Sequence, residues 1–122
     1  MNKKLTFLLS LTFLFLFSGS VYGDDFEDGV DAFERKDYKE AVRLFRLSAE
    51  QGDVDAQLKL GVSYGMGRGA PKDYALAHMW WNLSGSNGNK EAAENRDIVE
   101  TKMTPQQIEK AQEMARNWKP TK

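Results

Sequence analysis

Asp37-Tyr38-Lys39-Glu40-Ala41-Val42-Arg43-Leu44-Phe45-Arg46-Leu47-Ser48 and Asp73-Tyr74-Ala75-Leu76-Ala77-His78-Met79-Trp80-Trp81-Asn82-Leu83-Ser84 decide the fold, because the second stretch restates the first 36 positions later. Asp37-Tyr38, Ala41, Leu44-Phe45 and Leu47-Ser48 return as Asp73-Tyr74, Ala77, Trp80-Trp81 and Leu83-Ser84, and Gly52 returns as Gly88. At these matched positions apolar residues replace apolar ones. A period of this length marks stacked helical hairpins, none of which can bury its apolar face alone. Such stacks present extended surfaces to other molecules, so the period bears on function as well as fold.

Working outward from these stretches, the punctuation predicts six helices. The first runs from about Asp25 to Lys36, with Phe26, Gly29, Val30 and Phe33 as its apolar stripe. Asp37 is placed to cap the second, with Glu40 completing a capping box, and Gly52 ends it. Asp53 is placed to cap the third, which carries Ala56, Leu60, Gly61 and Tyr64. From Gly65 to Asp73 the glycines and Pro71 predict a non-helical turn, after which Asp73 starts the fourth helix. A fifth is expected over about Lys90–Lys102, burying Ala92, Ala93 and Val99. Thr104-Pro105-Gln106-Gln107 opens a sixth with a hydroxyl cap, a proline at the first turn and a glutamine three residues on. Its stripe is Ile108, Ala111, Ala115 and Trp118. No strand-like alternation occurs, so the expected fold is all-α.

The two units differ in their turns. Gly29 is 12 positions from Ala41, whereas Gly61 is 16 from Ala77, so the second hairpin carries four more residues in its glycine-rich turn. Ala56-Gln57-Leu58-Lys59-Leu60-Gly61-Val62-Ser63-Tyr64-Gly65-Met66-Gly67-Arg68-Gly69-Ala70-Pro71-Lys72-Asp73-Tyr74, continuing to Ala77-His78-Met79-Trp80-Trp81, resembles a Sel-one-like repeat, the long-turn cousin of the tetratricopeptide repeat. The unit before it resembles that family in its second helix, and the tail from Asn89 to Pro120 resembles the closing helices of small bacterial members. The resemblance implies a short right-handed α-solenoid of about three antiparallel hairpins. Members of the family act mainly as adaptors in protein complexes, some of them exported.

The first 23 residues read differently. Lys3 and Lys4 precede an apolar run from Leu5 to Phe17, then Ser18-Gly19-Ser20 and Val21-Tyr22-Gly23 ahead of Asp24-Asp25. That order predicts a secretory signal cleaved near Gly23. The run is short of the roughly 20 residues that span a bilayer, so no stable membrane insertion is expected after cleavage. The expected layout is a signal at 1–23 and a repeat domain at 24–122, with units at 24–52 and 53–88 and a closing helix pair at 89–120. Without Lys3 and Lys4 the chain has 15 basic against 18 acidic residues, a net charge of −3. That balance points away from nucleic acid. With no cysteine, an exported chain must hold together by packing alone.

No catalytic constellation can be assembled. His78 is the single histidine, so it reads as a helix-packing or surface residue. Gly65–Gly69 lacks the preceding strand of a phosphate loop, and Asp73 already puts negative charge at the following helix start. Trp80 and Trp81 point about 100° apart on a helix and serve two different neighbours rather than one ligand. Asp24, Asp25, Glu27, Asp28 and Asp31 read as a solvated helix start rather than a calcium loop. No cofactor or metal is expected. The implied solenoid geometry makes the first helix of each hairpin the partner-facing one. Its candidate residues are Glu27, Val30 and Glu34, then Asp55, Lys59, Val62 and Met66. The expected function is non-catalytic binding of a protein or peptide by a periplasmic or secreted monomer. The alternatives are an envelope enzyme and a self-stacking structural piece. The enzyme would be of the β-lactam-binding or hydrolysing type seen in cysteine-rich relatives, but this chain has no cysteine. The polar sixth helix argues against self-stacking.

Overall fold

Residues 25–121 are described by the structure, a computed structural model, and form six helices with no strand among them. The expected signal at 1–23 lies outside the described residues. In chain order the helices are α1 (residues 25–34), α2 (Tyr38–Glu50), α3 (Val54–Met66), α4 (Tyr74–Ser86), α5 (Lys90–Glu100) and α6 (Pro105–Asn117). Among the described residues no helix is long and apolar enough to cross a membrane.

The 36-residue period is written into the turns between hairpins. The Asp53 amide donates to the Ser48 carbonyl at 3.2 Å, and the Asn89 amide donates to Ser84 at 3.1 Å. Gly52 and Gly88 take φ of 102° and 105°. The Asp53 and Asn89 side chains then accept from the amides of Ala56 and Ala92, both at 2.9 Å, capping α3 and α5. Asp73 caps α4 through Leu76 in the same way, and Thr104 with Gln107 forms a complete capping box on α6.

Four local expectations are corrected. Asp37 sits at the start of α2 but makes no side-chain cap bond, and Glu40 pairs with Arg43 one turn on instead. The guanidinium of Arg43 holds the Glu40 carboxyl below its ordinary range, so that carboxylate is engaged elsewhere than at the cap. α3 continues through Gly65 and Met66, so the non-helical turn begins at Gly67, whose φ of 68° closes the helix. α5 stops at Glu100 rather than Lys102. α1 stops at residue 34, and Lys36 takes a left-handed φ of 66° while the Asp37 amide donates to the Ala32 carbonyl at 2.8 Å.

Two layers result, since α3 touches α5 while α4 touches α6, and α4 also packs on both α3 and α5. Phe45, Leu60, Ala77 and the α4 tryptophans form one continuous core. Polar ties join α2 to α3 across the two units and α3 to α4 within the second. Arg46 on α2 donates to the Tyr64 hydroxyl of α3 at 2.6 Å, and the Ser84 hydroxyl of α4 donates to the Val54 carbonyl at 2.7 Å. The long turn leans on the preceding unit, with the Arg68 guanidinium 5.3 Å from the centre of the Tyr38 ring. Gly69 has φ of 84° there, and a Cβ would collide with the Tyr38 carbonyl oxygen. After α6 the chain returns to the first unit, where the Thr121 amide donates to the Glu50 carbonyl at 2.7 Å.

Candidate functional site

The site is built around Trp81. Gly61 and Gly65 leave α3 without side chains where the Trp81 ring lies against it, and a Cβ on either would strike the indole. The ring is buried and its Nε1 donates to the Leu58 carbonyl at 3.1 Å, so neither end of the side chain is free to move. On the other flank, Gly85 brings α4 within reach of Ala93 on α5, where a Cβ would sit 3.1 Å away. Trp80 points along α4's own layer toward the end of α6 and meets Trp118 edge-on, ring centres 6.0 Å apart. The two indoles thus serve α3 and the end of α6 respectively.

Above Trp81, α3 and α5 border a cavity of about 340 Å³, near the lower end of ligand-pocket sizes. Its rim includes Met66 and Ile98, exposed by 55% and 61%, with Lys72, Asn95 and Lys102 beside them. The Lys72 ammonium lies 5.0 Å from the centre of the Tyr74 ring. By hydrogen bonding and then by charge, Lys72 lowers the Tyr74 phenol below its ordinary pKa, and Lys102 adds to the effect.

Of the seven residues expected to face a partner, Glu27, Glu34, Asp55, Lys59 and Met66 are exposed. Val30 and Val62 are half-buried and pack against the core, so they carry structural weight as well. Met66 alone of the seven lines the cavity. Asp55 receives a 3.4 Å hydrogen bond from Asn89. The residues missed were Asn95, Ile98 and Lys102, which lie 36 positions after Lys59, Val62 and Met66. Carrying the period one unit further along the sequence would have found them.

His78 is wholly buried, with Nε2 2.8 Å from Glu100 Oε1 and Nδ1 without a partner. With a carboxylate as its neighbour, Nε2 is the donor, which fixes the tautomer. The contact ties α4 to α5, and nothing nucleophilic shares it.

Helical hairpins in two layers, joined by short capped turns and carrying an exposed stripe on one layer, define a small solenoid-type binding scaffold. The chain belongs to the Sel1 repeat family, whose profile matches residues 23–53 and 54–89. No curated protein matches it. Among solved structures it is similar to c5321, a protective antigen present in uropathogenic Escherichia coli strains and displaying an SLR fold, with 30% identity and a TM-score of 0.78. The similarity covers 83% of this chain and 23% of that one, so the protein spans under a quarter of its relative's length. Repeats of this kind generally mediate protein–protein interaction and are typically non-catalytic.

Proposed function

We propose that the protein is a non-catalytic interaction module acting in the bacterial envelope or outside the cell, where it holds a protein or peptide on the layer formed by α1, α3 and α5. The observation carrying this reading is the pair of large apolar side chains, Met66 and Ile98, exposed over a cavity floored by an immobilised tryptophan. Exposed apolar groups beside a concave, partly preformed surface mark interaction sites. Placement outside the cytoplasm draws support from the basic, apolar and small-residue order of residues 1–23. Likeness to a protective antigen accords with a compartment that a host encounters.

Photo-crosslinkable residues at Lys59 and Ile98, with Gln112 on α6 as control, test the reading in intact cells. Discrete protein adducts are expected from the first two positions and not from the third, in the periplasmic or culture fraction. Equal labelling at all three positions, or a cytoplasmic location, contradicts it.

A further inference from the structure

The cavity over Trp81 has a charge opposite to that of the whole chain. The sequence holds 18 acidic against 17 basic residues, yet the cavity wall carries Lys72 and Lys102 and no carboxylate. The ion pairs among the described residues are Arg43–Glu40 and Arg96–Asp97, and His78 hydrogen-bonds Glu100, so neither lysine is neutralised within the fold. On the adjoining elements Asp73 caps α4, Glu100 faces His78 and Asp97 holds Arg96, while Glu91 and Glu94 of α5 lie outside the cavity wall. Between the lysines the Tyr74 phenol lines the wall beside an apolar floor of Trp81 and Val99, with Met66 and Ile98 at the rim.

We infer that this cavity recognises an acidic peptide segment in which a bulky apolar side chain is flanked by Asp or Glu. The apolar side chain enters over Trp81 between Met66 and Ile98. Its neighbouring carboxylates meet Lys72 and Lys102, and the Asn95 amide, which can both donate and accept, pairs with the peptide backbone. Apolar burial supplies attraction without selectivity, whereas the two cations set which segments are accepted and how fast they arrive. A lysine ammonium is a compact charge on a flexible stem and needs no bidentate geometry, so the spacing of the acids is tolerant while their sign is not. A basic segment meets two like charges and is rejected.

This inference rests on the interaction-module reading, and its test separates the two. A random heptapeptide display library is panned on the purified protein and, in parallel, on K72E/K102E, M66S/I98S and the remote control K110E, each checked for helicity by circular dichroism. Enriched sequences are expected to place Leu, Ile, Phe or Met beside Asp or Glu. Recovery should fall at least tenfold on both cavity variants and stay unchanged on K110E. Enrichment of neutral or basic sequences, lost on M66S/I98S but kept on K72E/K102E, overturns the acidic partner and leaves the module reading standing. Absence of any enrichment overturns both. Saturable binding of decanoate with no peptide recovered reassigns the cavity to a lipid carboxylate and overturns the peptide.

Discussion

A methyl group placed on Gly61 falls on the Trp81 indole, which cannot retreat because its Nε1 is held by the Leu58 carbonyl. G61A is therefore expected to cost about 1–3 kcal/mol, the range of core overpacking, measured as a lowered urea midpoint by circular dichroism. Lys36 presents the reverse case. It holds a left-handed conformation that costs a side-chain-bearing residue about 1–2 kcal/mol and costs glycine nothing sterically. Glycine also loses more chain entropy on folding, so K36G should stabilise by a net ~0.5–1 kcal/mol. A lower melting temperature for K36G would contradict this account. Glycine at position 61 was legible as a close-packing requirement because its spacing to Ala77 matched a hairpin crossing. Lys36 was not legible, since nothing in a lysine announces positive φ.

Helix ends show how local signals compete. Thr104 and Gln107 cap α6 as their spacing predicts, because no other group claims Gln107. Asp37 and Glu40 have the same spacing, yet Arg43 takes the glutamate through an exposed pair one turn on. D73A removes a bond to the Leu76 amide and should cost about 1 kcal/mol, whereas D37A, with no cap bond to lose, should cost under about 0.5 kcal/mol. Equal losses of stability in the two variants would mean that helix-start charge, rather than the bond, is what matters. The end of α3 was misjudged for a related reason. Gly65 reads as a breaker in isolation, but its missing side chain is required by Trp81 within a continuing helix.

The stack as a whole was legible because its period is a whole-chain property that survives local ambiguity. The cavity was not, since Met66, Lys72 and Ile98 come from α3, the long turn and α5, and only packing brings them to one rim. α4 lies at the centre of that packing, in contact with α3, α5 and α6. Unfolding should consequently be a single transition, with tryptophan fluorescence and far-ultraviolet circular dichroism giving coincident curves. Separate midpoints would show that the hairpins melt one by one, as longer arrays can. W118A, which removes the edge-on partner of Trp80, should lower stability by about 2–3 kcal/mol, somewhat less than a fully buried indole, and shift both probes together.

The return of Thr121 to Glu50 ties the end of the chain to α2, within the layer opposite the cavity. A linear pile of hairpins flexes like a spring, but one laced along its spine can open only on its free side. Spreading α3 from α5 then becomes a hinge about that lacing, so a change at the tail can be felt as a change in how wide the far mouth gapes.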